Sequence, residues 1–146
     1  MLRILALLLM AGVATAEEWP APANEPAYRV VVHVSNPVGS LTRAELSAIY
    51  MKRTRSWRDG TAILPVDQRR DSRLRERFSR AVHGKSVAYV TRYWQRLIFS
   101  GRAVPPRVLR SDAAVLDFVQ RHAEAVGYVD ARTPLNGGVK AIAVTP

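Results

Sequence analysis

Arginines, a carboxylate and a hydroxyl crowd the segment VDQRRDSRLRERF, Val66 to Phe78. Its first residues read as the end of a strand and its last as a helix, so Arg69, Arg70, Asp71 and Ser72 stand at a strand-to-helix junction. The first turn of a helix exposes unpaired amides and about half a positive charge, which favours an anion. The Ser72 hydroxyl adds a donor, and Arg69 or Arg70 can grip an oxyanion with two parallel hydrogen bonds. Asp71 can accept a proton from an oxyanion such as hydrogen phosphate. Ser72 also suits a plain helix cap with the arginines turned to water.

Other residues offer less. Ser40-Leu41-Thr42 precedes a second helix, and Ser40 and Thr42 are further anion contacts, although Thr42 and Glu45 already make a capping box. The loop Lys52–Arg58 is basic with one aromatic, Trp57. That mixture suits stacked bases, but a solvated loop with Trp57 tucked into the core is the reading preferred here, and no nucleic acid is expected as a partner. His33, His83 and His122 are scattered without metal-ligand spacing, and the chain lacks cysteine, an HExxH motif and a GxSxG elbow. Thiol chemistry is excluded, and neither an enzyme nor a bound metal or cofactor is expected.

The elements around the junction follow from pattern. Tyr28–Val34 is a β-branched run whose consecutive valines predict a strand covered on both faces. Leu41, Leu46, Ile49 and Tyr50 mark a helix from Arg43 to about Met51. Ala62–Val66 reads as a short strand; Pro65 removes a ladder donor and predicts an edge strand, or one that ends there. A helix over Arg73–His83 buries Leu74, Phe78 and Ala81 or Val82, with Arg73, Arg75, Arg77 and Arg80 on its other faces. Ser86 starts a helix to about Phe99, with Val87, Val90, Trp94 and Leu97 or Ile98 inward, and Ser111 caps another over Asp112–His122. Ala125–Val129 and Val139–Val144 are strands, and Thr133–Gly138 is a loop. Strands alternating with helices predict an α/β fold with a mainly parallel sheet.

Several of these segments, in order, resemble the phosphate-binding proteins of ABC transporters. Asn36-Pro37, then Leu41-Thr42-Arg43-Ala44-Glu45-Leu46 and Ile49-Tyr50, resemble that family's SNPV…LTREEL…IF segment. Trp57-Arg58-Asp59-Gly60 resembles its W-x-DG turn, Ile63-Leu64-Pro65-Val66 the strand after it, and Val126-Gly127-Tyr128-Val129 its late IGYV strand. Tyr93-Trp94, Phe99-Ser100-Gly101-Arg102 and Pro105-Pro106 look like the short, single-domain members. The resemblance implies a three-layer sandwich like one lobe of a type 2 periplasmic binding protein, and a phosphate held by helix N-termini, hydroxyls, an Arg and an Asp. The family's signature is an Arg followed closely by Ser-Gly-Thr. Ser72 matches the Ser, while Arg73 and Leu74 replace the Gly and Thr, and Gln68 falls at the Arg position with Arg69 one residue on. The resemblance therefore implies an anion pocket of altered geometry.

Hydropathy and charge complete the reading. Arg3, the apolar run Ile4–Val13 and Ala14-Thr15-Ala16 form a signal-peptide pattern with the cut after Ala16. A Pro/Ala-rich leader spans 17–27, and a single solute-binding-like domain is expected over 28–146. No second apolar run follows, so the mature chain is expected without a transmembrane segment, periplasmic or secreted. Of the 146 residues 22 are Lys or Arg and 12 Asp or Glu, but Arg43–Arg110 alone holds 17 basic and 5 acidic residues. Such an asymmetric field draws anionic partners. The expected function is binding of phosphate or another small anion, with an ABC transporter permease as a partner. The alternative is a cell-envelope interaction module that meets an acidic protein or surface through its basic face.

Overall fold

Tyr28, Val30 and Val32 alternate with Arg29 and Val31 along β1 (Tyr28–His33), and every one of those valines is buried. A strand keeps both faces dry only when helices cover both sides of its sheet. The computed structural model, which describes residues 27–146, has that arrangement. The expected signal peptide, and the leader up to residue 26, lie outside the described residues.

Six strands form one sheet. After β1 come β2 (Ser40–Thr42), β3 (Leu64–Gln68), β4 (Arg107–Leu109), β5 (Ala125–Asp130) and β6 (Val139–Thr145), and their order across the sheet is β2-β6-β1-β5-β3-β4. β1 is antiparallel to both its neighbours, and the other pairings are parallel. Five strands therefore run one way and β1 runs against them, which is the mainly parallel α/β sheet predicted from the sequence.

Among the described residues there are four α-helices, α1 (Arg43–Tyr50), α2 (Arg73–Phe78), α3 (Val87–Phe99) and α4 (Asp112–Arg121), of which α1, α2 and α4 pack on the sheet. Val30, Val32, Val126 and Tyr128 pack with Leu46, Ile49 and Tyr50 of α1 and Phe78 of α2. From the opposite face Val31, Val66 and Val129 pack with Val115, Leu116, Phe118 and Val119 of α4. Burying each such side chain contributes about 1.5–3 kcal/mol. α3 makes a satellite cluster through Val90 and Trp94 with Met51.

Several expectations need correction. Pro65 is not at an edge, because β3 lies between β5 and β4 and continues to Gln68. The Leu64 amide donates to the Glu124 carbonyl on the β5 side. Alternation turns position 65 towards β4, whose pairing begins only at Val66, so the missing donor costs no ladder bond. The helix expected over Arg73–His83 is α-helical only to Phe78 and then widens into a π-helical turn, Ser79–His83, closed by Gly84 at φ 64°. Of the alternatives left open, Val82 and not Ala81 is buried and Leu97 and not Ile98 turns inward, whereas Arg75 is 7% exposed instead of facing water. The short strands β2 and β4 had no signal strong enough to predict them.

Candidate functional site

β3 ends at the edge of the sheet where the other parallel strands also end. After β3 the chain turns to α2 on one face, and after β4 it turns to α4 on the other. Helices leaving neighbouring parallel strands towards opposite faces open a crevice at the strands' carboxyl ends, the usual ligand position in open α/β sheets. The junction Asp67–Ser72 lies there.

Strand alternation sends Asp67 towards α2 and Gln68 towards α4. Asp67 is buried and ion-paired with Arg75 at 2.9 Å (Oδ2 to Nη2). The Tyr128 hydroxyl donates to Asp67 Oδ1 at 2.5 Å and the Gln68 amide donates to the same atom at 2.8 Å. Arg75 Nη1 donates to the Gln68 carbonyl at 2.8 Å. Burial lifts the Asp67 carboxyl above its usual range, against the opposing pull of Arg75, the Tyr128 hydroxyl and the Gln68 amide. Tyr50 and Tyr128 are pushed far above the ordinary phenol range, chiefly by burial and next by the Asp67 charge. Tyr128 also stacks on Phe78, with ring centroids 3.7 Å apart. This network clamps the first turn of α2 onto β3.

Gln68 is buried too. Its Nε2 donates to Asp112 Oδ1 at 2.8 Å and to the Tyr128 carbonyl at 3.1 Å. Asp112, the first residue of α4, further accepts from the Asp130 amide at 3.0 Å and the Thr133 hydroxyl at 2.6 Å. The α4 side of the crevice is thus closed by the protein's own side chains. The Gln68 side chain faces that plug, away from the α2 start.

The α2 start is more open. Ser72 is its N-cap and accepts from the Arg75 amide at 3.3 Å. By helix geometry the amides of Arg73 and Leu74 have no intrahelical acceptor, and none is found for them among the described residues. Arg69 and Arg70 are exposed beside them. Asp71 is also exposed and pairs with Arg69 at 2.7 Å. Such a solvated pair is worth about 0–1 kcal/mol, little obstacle to a competing oxyanion.

Ser40 and Thr42 do not join this group. β2 is the far edge strand, four interstrand steps from β3, or about 19 Å. Thr42 is engaged in its capping box: it accepts from the Glu45 amide at 3.1 Å, and its own amide donates to Glu45 Oε2 at 2.8 Å. That bond holds the Glu45 carboxyl below its usual range, so a fixed negative charge already occupies the α1 start. Ser40 lines a hollow of about 510 Å³ with Leu41, Ile49 and Trp57, next to a second of similar size around Ser35, Asn36 and Glu124. Trp57 is half-buried, its indole donating to the Glu124 carbonyl at 3.0 Å. Among the described residues no group of three or more His, Asp or Glu side chains could hold a metal ion.

Reading the sequence missed Asp67, Arg75, Tyr128 and Asp112. A signal for two of them existed. Arg75, Ser79 and Val82 recur at i, i+4 and i+7, beside the Leu74 and Phe78 stripe, and Asp67 alternates with a buried Val66 in a two-sided strand.

No protein-family model matches the chain, and no curated protein matches it either. Solved structures do match. A phosphate ABC transporter substrate-binding protein with bound phosphate from Clostridium perfringens superposes with a TM-score of 0.65 at 20% identity, covering 81% of this chain and 44% of that one. An ABC-type phosphate transport receptor from Vibrio cholerae gives 0.60 at 24% identity, covering 81% and 46%. PstS from Borrelia burgdorferi gives 0.56 at 13% identity, covering 81% and 47%. The chain has the fold of one lobe of such proteins and spans less than half the length of each.

Proposed function

We propose that this chain is an exported, solute-binding-like protein that takes phosphate or another small oxyanion at the start of α2, without catalysis, and that it serves ABC-type uptake through a permease. The observation that carries the reading is the pair of acceptor-free amides, Arg73 and Leu74, that follow the Ser72 cap a few residues after the exposed Arg69 and Arg70. Fixed amide dipoles and mobile guanidinium groups supply complementary halves of an oxyanion site. The matched structures support it further, because they come from proteins named for phosphate transport.

The Asp67–Arg75 clamp would hold the helix start rigid without touching the ion. Asp71 would accept a hydrogen bond from the hydroxyl of a hydrogen phosphate or swing aside from Arg69. A site on one lobe leaves the ion partly hydrated, so its affinity falls in the micromolar to millimolar range, about −8 to −4 kcal/mol. Calorimetry with phosphate, sulfate and phosphorylated metabolites tests the reading. A binding heat is expected that Ser72→Ala combined with Arg69→Ala abolishes. Absence of heat with every anion, or heat that survives the double substitution, rejects the site.

A further inference from the structure

We propose that the outward face of α3, with the turn that follows it, docks the protein onto an anionic phospholipid bilayer. From Arg77 to Ser111 the chain carries eight Lys or Arg residues and no Asp or Glu. α3 buries Val87, Val90 and Trp94 and presents Arg92, Arg96 and Phe99, spaced i, i+4, i+7, on its solvent face. At its end Phe99 is 90% exposed, Ile98 50% and, past the turn at Gly101, Val104 72%. Arg92, Arg96 and the nearby Arg102 are exposed, and none has an ion-pair partner among the described residues.

An uncompensated cationic stripe ending in protruding aromatic and aliphatic side chains is the pattern of a helix that lies on a membrane surface. The cations meet headgroup phosphates and the apolar tip enters the acyl boundary. The two hollows described above lie elsewhere, around Trp57. A fluid bilayer accepts a protruding Phe99 without a matching socket, whereas a protein partner would have to supply one. The inference does not depend on the α2 site.

Sedimentation with vesicles tests it, using the full protein with residues 1–26 unchanged in every variant so that their contribution cancels. The wild type is expected to pellet with vesicles of equal parts phosphatidylglycerol and phosphatidylcholine at about 0.1 M salt. Its partition into phosphatidylcholine alone should be lower, because the cations find no anionic headgroup there, and partition into the mixed vesicles should fall roughly tenfold at about 0.5 M salt. Arg96→Gln with Arg102→Gln should lower partition about 25-fold, about fivefold for each arginine. Phe99→Ser with Val104→Ser should lower it roughly tenfold at low salt. All four side chains are exposed, and matching thermal melts show that each variant is folded.

Equal binding to both vesicle types, or unchanged partition of both double variants, overturns the proposal. So does retention on polyglutamate without any vesicle binding, which would identify an acidic polypeptide as the partner. Ser72→Ala should pellet like the wild type. If it loses partition as Arg96→Gln with Arg102→Gln does, the headgroup is held at the α2 start and the α3 surface is rejected.

Discussion

Arg75 carries a full charge into a site 7% exposed, and Asp67, Tyr128 and the Gln68 backbone meet it there. Removing one partner of a buried pair strands the other, so Arg75→Met should cost about 3–5 kcal/mol in urea unfolding. Adding Asp67→Asn removes the stranded charge and keeps a carbonyl for the Tyr128 hydroxyl, and more than half of the loss should return. If the double variant is no more stable than Arg75→Met alone, the Asp67 charge is not what makes that change costly. His83 predicts a pH dependence. Burial, with the Arg53 and Arg75 charges, lowers its pKa from 6.5 to about 4, and the ring bonds Ser47 Oγ at 2.8 Å while facing Tyr50 and Phe78. The unfolded chain takes up this proton near pH 6.5 and the folded chain only near pH 4. The stability tied to a neutral His83 is therefore complete above pH 6.5 and lost as pH falls towards 4, up to about 3 kcal/mol. Urea titrations from pH 7 to pH 4 should show that slope, and His83→Asn should flatten it.

At the level of elements, β5 is the strand on which the two layers depend. Gly127 lies where α4 comes closest: a Cβ added there would meet Val115 Cγ1 at 2.6 Å and Val66 Cγ2 at 3.0 Å. Gly127→Ala should destabilise by about 1–3 kcal/mol by forcing α4 away from the sheet, measured as a lower denaturation midpoint with the slope unchanged. Pairing Gly127→Ala with Val115→Ala should relieve much of that strain. Most elements were legible because their periodicity is local: the three valines of β1, the Thr42–Glu45 box of α1, and the serines that cap α2, α3 and α4. The misses have a common physical cause. β2 and β4 are three residues long and exist because β6 and β3 offer them a partner, and the π-helical turn at Ser79–His83 ends where His83 meets Ser47 of another helix.

At the scale of the whole molecule, residues 27–146 make one lobe, so closure within these residues is not expected on binding. Phosphate at a hundredfold excess over its dissociation constant should raise stability by about 2.7 kcal/mol, seen as a higher melting temperature, while the radius of gyration from solution scattering stays unchanged. A rise in the radius of gyration on binding would mean that a second copy joins to complete a cleft. Among the described residues no helix is long and apolar enough to cross a membrane. The sequence by itself determined the α/β class, the strand-to-helix junction at Arg69–Ser72, the helix caps and the concentration of positive charge, because each is written in neighbouring residues. Tertiary structure decided the rest. It showed that Arg75 turns inward, that Gln68 and Asp112 close one side of the crevice, and that Ser40 and Thr42 stand at the far edge from Ser72. Those outcomes depend on which strands become neighbours and on which face each helix lands, and the pairing energies that settle both come from residues far apart in the chain.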